Sequence, residues 1–321
     1  MSRHRAPGMR QRGVAIITAL LVVMLAASIA AFLLAQQSQA LTRTARATDR
    51  AQAALYAAPT LDWARAMLFE MQKKTARVDL TQPWTQGLVA VPIDGAVASG
   101  SLRDDAGLFN LNNLLKDDGT HSEPDLAMLR RLLAALKLNP DLANAVVDWI
   151  DADDDVTFPG GAETGAYLGA PTPTRAANQR LLHLDELQRV AGIDAVVLGR
   201  LRPFVTALPL RSKININTAP AEVLTALLPD LGSEEITRLV QQRLARPFAQ
   251  VEGAGGVKET LTKVPAALID QSVDVRSSFF SVYLAIDNNG AQIRQSALLQ
   301  RRDAGSAGGD RWPSIIWVRN D

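Results

Sequence analysis

The 321-residue chain has no cysteine, 34 basic against 33 acidic side chains, 47% apolar residues and 5% aromatics. That apolar fraction can fill a core and excludes a wholly disordered chain, while the missing cysteines exclude disulfides, thiolate zinc sites and cysteine nucleophiles. A net charge of +1 argues against a globally basic nucleic-acid binder.

Residues 1–13 carry Arg3, Arg5, Arg10 and Arg12 without an acid, and no charged residue occurs from Val14 to Thr42. Within Val14–Ala35 only Thr18 and Ser28 are polar. At about 1.5 Å per residue this run spans a bilayer core of about 30 Å. A buried core helix rarely needs so long an apolar run beside a basic flank. A secretory signal cleaved near Ser38-Gln39-Ala40 would have an apolar region longer than the usual range of roughly 7–15 residues. A retained membrane helix fits best, with the basic leader cytoplasmic and the remainder on the far side.

Residues 36–57 lack Gly and Pro and continue the helix, and Pro59 is expected to open a second stretch, Thr60–Met71, with Leu61, Ala64, Leu68 and Met71 on one face. Turn residues cluster around Pro83, Gly87 and Pro92, before a strand over Ala96–Arg103. Residues 104–270 show helical periodicity and turn punctuation with little strand signal. Strands return at Ser272–Ile286, Ala291–Gln300 and Trp312–Arg319, and Asp287-Asn288-Asn289-Gly290 reads as a hairpin turn. Gly305–Gly309 reads as a loop. Three or four such strands can cover one face of a long helix.

Charge is uneven in the central region: 104–163 holds 13 acids and 4 bases, whereas 164–269 holds 9 acids and 12 bases. The acids concentrate at Asp148, Asp151, Asp153, Asp154 and Asp155, with Glu163 following Gly160-Gly161-Ala162. Carboxylate oxygens this dense repel one another unless solvated or neutralised by a hard cation such as calcium. Asp151, Asp153 and Asp155 are spaced like the start of an EF-hand loop, but Val156 stands where its Gly is needed and Ala162 where its Glu is needed. An irregular cation site, a solvated acidic loop capping a helix, and a carboxylate pair for hydrolysis are the competing readings. The last lacks an aromatic sugar platform.

Two segments, one from His183 and one from Ile214 to Pro229, read as short helix–turn–helix units, with Thr218 as N-cap, Pro220 near the helix start and Glu222 in the first turn. They resemble helix-hairpin-helix units of DNA-binding proteins. The turn Leu228–Glu235, however, has one Gly and three acids, which repel phosphate. Phe109-Asn110-Leu111-Asn112-Asn113 and Ile214-Asn215-Ile216-Asn217 are similar phrases that suggest a duplicated unit, their Asn side chains bonding backbone. His4, His121 and His183 are scattered without ligand spacing, and His183 is expected to cap or pack at its helix start.

The junction Arg10-Gln11-Arg12-Gly13-Val14 places a short basic leader ending in Gly directly before the apolar helix, and so resembles the prepilin signal. The resemblance implies that a prepilin peptidase cuts after Gly13 and that Val14 becomes N-methylated. Pilins carry Glu at the fifth mature position, to meet the terminal amine of a neighbour; here it is Thr18. An unpaired carboxylate in hydrocarbon is costly, so its absence suits a subunit with nothing stacked above it. With this feature, the run GVAIITALLVVMLAASIAA and the large insertion, nearly the whole chain resembles the K-class minor pseudopilins of type II secretion systems.

That resemblance implies an α+β, pilin-like fold: a long N-terminal transmembrane helix packed on a small antiparallel sheet, with a large all-α insertion containing helix-hairpin-helix or SAM-like units. The parts would be a leader (1–13), a membrane helix (14–35), a helix continuation with the first strand (36–103), the insertion (104–270) and the closing strands (271–321). It implies a non-enzymatic subunit of the inner membrane, single-pass, with its head periplasmic at the tip of a pseudopilus. Its partners would be the I-, J- and H-class pseudopilins, the prepilin peptidase, the assembly platform and the lipid bilayer, with no nucleic acid. It also implies calcium at Asp148, Asp151, Asp153, Asp154, Asp155 and Glu163. The rival reading is a membrane-tethered DNA-uptake protein.

Overall fold

The computed structural model describes residues 10–170, 172–301 and 312–320, with backbone alone at 10–13. The expected leader up to residue 9 and the loop at Gly305–Gly309 lie outside the described residues.

Helix α1, Arg10–Lys74, is a continuous run of 65 residues. Its apolar segment has a mean hydropathy of 2.7 and is wholly exposed, and every residue from Val14 to Thr48 is exposed. From Ala53 onward one stripe is buried: Ala53, Ala57, Leu61, Ala64, Leu68 and Met71, at the three- and four-residue spacing of a helix face. Pro59 does not open a second helix but lies inside the first. An internal Pro costs about 3 kcal/mol. Here Leu55, whose carbonyl loses its partner, is on the exposed side, and packing of the buried stripe offsets the loss.

The stripe lies against a five-stranded antiparallel sheet built from β1 (Leu88–Ile93), β2 (Ala96–Asp104), β7 (Phe279–Asn288), β8 (Ala291–Gln300) and β9 (Ser314–Asn320), in the order β1-β2-β7-β8-β9. Leu102, Phe280, Val282, Leu284, Ala297 and Leu299 fill the helix-facing side with Leu61, Leu68 and Trp84. Complete burial of Leu68 or Phe280 contributes roughly 1.5–3 kcal/mol each. The expected turn at Asn289-Gly290 has positive φ at both residues, and Asp94-Gly95 makes the equivalent turn between β1 and β2.

Strand β1 differs from the expectation of turns around Pro92. The strand is at the edge of the sheet, where a Pro removes no ladder bond, and it pairs only with β2. The strand expected over Ser272–Ile286 is also split: Ser272 ends a helix, and Val273–Asp274 pair elsewhere.

Between β2 and β7 the chain forms a helical body with one contiguous apolar core. Its elements are β3 (Phe109–Asn110), α2 (Glu123–Ala135), α3 (Leu142–Ile150), α4 (Thr164–Leu168), α5 (Ala195–Leu201), β4 (Val205–Thr206), β5 (Ile214–Asn215), α6 (Ala221–Leu227), α7 (Ser233–Ala245), α8 (Val257–Thr260), α9 (Ala266–Ser272) and β6 (Val273–Asp274). Two short parallel pairs, β3 with β4 and β5 with β6, close its two halves.

The similar Asn phrases occupy matching places. Asn110 Oδ1 accepts the Asn112 amide at 3.1 Å, and Asn215 Oδ1 accepts the Asn217 amide at 3.0 Å. Asn112 then holds the Leu181 backbone through both amide atoms, at 2.8 and 2.9 Å, as Asn217 holds Phe248 at 2.9 Å in both bonds. These buried amides satisfy loop backbone that would otherwise be orphaned.

Thr218 does not cap α6, whose first residue is Ala221 with Pro220 before it. Its hydroxyl donates instead to Asp104 Oδ2 at 2.7 Å. Asn215 Nδ2 at 2.9 Å and Ser277 Oγ at 2.6 Å converge on the same oxygen. Asp104 ends β2, so this buried knot ties the helical body to the sheet. Burial pushes the Asp104 carboxyl upward, against the pull of those donors.

Candidate metal centre

Helix α3 is buried on nearly all sides, and its core-facing polar residues are correspondingly bonded. Asn144 accepts from Arg130 Nη2 at 2.7 Å and donates to the Pro159 carbonyl at 2.7 Å. One turn later Asp148, also buried, accepts the Thr157 amide at 3.1 Å. The loop therefore doubles back over the end of the helix that carries it. Gly161 permits the close pass: a Cβ there would sit 2.2 Å from Asp148 Oδ2 and 2.3 Å from the Thr157 carbonyl. Gly160, at φ +83°, turns the chain immediately before it.

The fold-back delivers Glu163 to the two aspartates at the end of α3. Ligand oxygens of Asp148, Asp151 and Glu163 lie within 4.8 Å of one another, and all three residues are buried. Asp151 Oδ1 and both Glu163 carboxylate oxygens have no hydrogen-bond partner among the described residues. Burial, reinforced by Asp151 and Asp148, raises the Glu163 carboxyl to about 7. Burial likewise raises Asp151 to about 6, with Asp153 and Asp148 adding to it and the bond from His121 opposing it.

Buried carboxylates without donors cost several kcal/mol unless a proton or cation neutralises them. The donor set is oxygen only and arrives from a helix end and a loop, which fits a hard divalent cation of flexible coordination such as calcium. When bound, such an ion would be held by Asp148, Asp151 and Glu163, and would cross-link the loop to α3.

The six carboxylates singled out in the sequence do not all fall in one spatial group. Asp153 joins Asp151 and His121 in a second grouping within the same 4.8 Å limit. Asp154 and Asp155 are exposed and belong to neither group. His121 was not anticipated, because it lies 30 residues before Asp151 in the chain, yet its Nε2 stands 2.7 Å from Asp151 Oδ2. His183 caps the short 3₁₀ helix Leu184–Arg189 by accepting the Asp185 amide on Nδ1 at 3.1 Å, as anticipated.

At the other end of the molecule, the backbone of α1 is already helical through Gly13, and Val14 is exposed. Thr18 Oγ1 donates to its own helix, to the Val14 carbonyl at 3.1 Å and the Ala15 carbonyl at 3.0 Å. The hydroxyl is thus satisfied within its own helix. The turn between α6 and α7 offers no cradle for phosphate. Glu235 at the start of α7 already accepts the Gly232 amide at 3.0 Å, and it pairs with Lys263 at 2.8 Å. The DNA-binding reading finds no support there.

The family model described as "Type II secretion system (T2SS), protein K" matches residues 107–210, and a second of the same description matches 214–268. These spans coincide with the two halves of the helical body. The chain is 33% identical to type II secretion system protein K of Pectobacterium carotovorum subsp. carotovorum, covering 90% of this chain and 92% of that one. It is 30% identical to the protein of the same name from Aeromonas hydrophila, over 91% and 93% of the two chains. Among solved structures it is similar to a chain of the GspK-GspI-GspJ complex from the enterotoxigenic Escherichia coli type 2 secretion system. The TM-score is 0.74 and the identity 27%, covering 87% of this chain and 99% of that one.

Proposed function

We propose a function from one premise: the chain belongs to the type II secretion system protein K family. On that premise it is a membrane-anchored minor pseudopilin that works by assembly rather than catalysis, from the tip of the pseudopilus, in support of the export of folded proteins. The observation that carries this reading is the placement of the helical body. It hangs on the sheet at Asp104 and adds its bulk to the end of α1 remote from the membrane. Subunits that stack through side-by-side α1 helices leave room for such a body only where nothing follows. Thr18 supports the same position, since it seeks no partner amine above it.

The similar structure is titled a complex with I- and J-class proteins, and we take these as partners of this chain, with the H class beside them. The helix Val14–Ala35 sits in the inner membrane, with the head in the periplasm. The prepilin peptidase trims the leader after Gly13, Val14 is methylated, and the secretion assembly platform receives the mature subunit. Calcium occupies the Asp148, Asp151 and Glu163 group and holds the loop of the head.

The test is capture from detergent-solubilised membranes of cells co-expressing this chain with the H-, I- and J-class proteins. Recovery of I and J with the wild-type chain, and their loss on replacing Ala51 and Leu55 of the exposed α1 face with Asp, is the expected result. Failure to recover either partner would overturn the assembly role. A Gly13→Leu precursor should retain its leader, and normal trimming would remove the processing assignment.

A further inference from the structure

We propose that the crevice between the far face of the sheet and the first half of the helical body docks the free C-terminus of an extended polypeptide whose last side chain is apolar. Leu102, Val282, Leu284 and Ala297 pack toward α1. Side chains alternate along a strand, so Arg103, Ser281, Tyr283, Ser296 and Leu298 belong to the opposite face. The helical body meets that face: the His183 ring stands edge-on to Trp317 with centroids 5.1 Å apart, and Leu208 packs on Phe279 and Leu298.

Two adjoining cavities remain between the layers. One, of about 220 Å³, is lined by Arg103, Arg202, Arg319, Asp105 and Asp185 with Tyr283. The other, of about 350 Å³, is lined mainly by apolar groups, among them Leu181, Pro209 and Ile316. Leu182, His183, Trp317 and Arg319 line both, so charged and apolar compartments are continuous. Cavities of this size suit the end of a chain and not a folded domain.

Three arginines here face two carboxylates. Arg103 Nε donates to Asp105 Oδ1 at 2.8 Å, while Asp185 accepts from both Arg202 and Arg319, the latter at 2.6 Å. Asp105 also accepts from the Ser281 and Thr206 hydroxyls, at 2.6 and 3.3 Å. One positive charge is left over, on guanidinium groups whose fork matches a carboxylate. Burial holds the His183 ring below its usual range, with Arg319 and Arg202 adding to it and Asp185 opposing, a sign of the same positive potential.

Strand β9 supplies the reason for a polypeptide. It is the edge of the sheet and pairs only with β8 among the described residues, so backbone N–H and C=O groups along it are open to a further strand. Ile316 and Val318 are exposed along that edge. The crevice lies on the face turned away from α1, so its failure as a docking site would leave the assembly role standing.

The test is fluorescence anisotropy, with the full chain in detergent and a fluorescein-labelled Thr-Val-Thr-Val-Leu peptide supplied as the free acid and as the C-terminal amide. The free acid should bind, and the amide should bind at least about tenfold more weakly. Arg202→Gln cancels the surplus charge and should erase the preference for the acid. Leu182→Asp, at a side chain 73% exposed, should leave the melting temperature unchanged and weaken the acid by about tenfold or more. Equal binding of acid and amide, binding of neither, or unchanged affinity in Leu182→Asp would overturn the proposal. Displacement of the peptide by an equal concentration of decanoate would also overturn it, in favour of a fatty-acid site.

Discussion

Thr218 donates its hydroxyl proton to Asp104 Oδ2 at 2.7 Å, across 114 positions of sequence. The bond joins the second half of the helical body to the last residue of the strand beneath α1. Thr218→Val keeps the shape and deletes the donor to a buried carboxylate, so it should cost about 1–3 kcal/mol in thermal or denaturant unfolding. Thr218→Ser should lie close to wild type. Equal stability of Val and Thr would mean that the knot is held by Asn215 and Ser277 alone.

Calcium should raise the melting temperature of the chain and Glu163→Gln should abolish the rise. A ligand at a hundred times its dissociation constant stabilises by about 2.7 kcal/mol. In chelator the same variant should be no less stable than wild type, because it removes a buried charge that nothing neutralises. Melting curves with and without chelator, superimposed for wild type, would contradict the centre.

The pH dependence follows from the same two groups. Glu163, raised to about 7, and Asp151, raised to about 6, both titrate above their unfolded values. Between about pH 4 and pH 7 the cation-free folded state therefore binds more protons than the unfolded chain, and its stability falls as pH rises through that window. Calcium needs both groups ionised, so its contribution has the opposite slope. The calcium-induced gain in melting temperature should be small near about pH 5 and full near about pH 8. A gain independent of pH would contradict the assignment of these carboxylates.

Gly161 and Gly165 make a matched pair. A Cβ at 161 meets Asp148 Oδ2 and the Thr157 carbonyl, whereas at Gly165, inside α4, nothing lies within 4 Å. Gly161→Ala should cost about 1–3 kcal/mol or more and remove the response to calcium. Gly165→Ala should be neutral or stabilising by up to about 1 kcal/mol. Calorimetry of both variants with and without calcium separates them.

Features driven by local chemistry were legible in the sequence. The uncharged run from Val14 identified the exposed part of α1, alternation found β2 and β8, and Asn289-Gly290 announced its hairpin. Where tertiary contacts override local preference, the sequence misled. Pro59 reads as a helix start, yet burial of Ala53, Leu61 and Leu68 carries α1 through it. Pro92 reads as a turn, but an edge strand tolerates it.

Thr218 has the composition of a cap, and is claimed instead by a carboxylate on another element. The acid cluster was visible as composition, and Asp148, Asp151 and Glu163 stood among its six candidates; which of the six are buried together was not visible. Asp148 and Asp151 share a helix end, Glu163 arrives only because Gly160 and Gly161 fold the loop back, and His121 comes from a separate hairpin. No spacing rule contains those last two facts.

Helix α1 has no joint between its exposed apolar segment and the stripe that grips the sheet. At 65 residues it is about 98 Å long, so a tilt of about 5° at one end sweeps the other by roughly 8 Å. Motion imposed on the apolar end reaches the sheet without slack, and through the Asp104 knot it reaches the helical body as well. The molecule is built as a lever whose load is bolted directly to the beam.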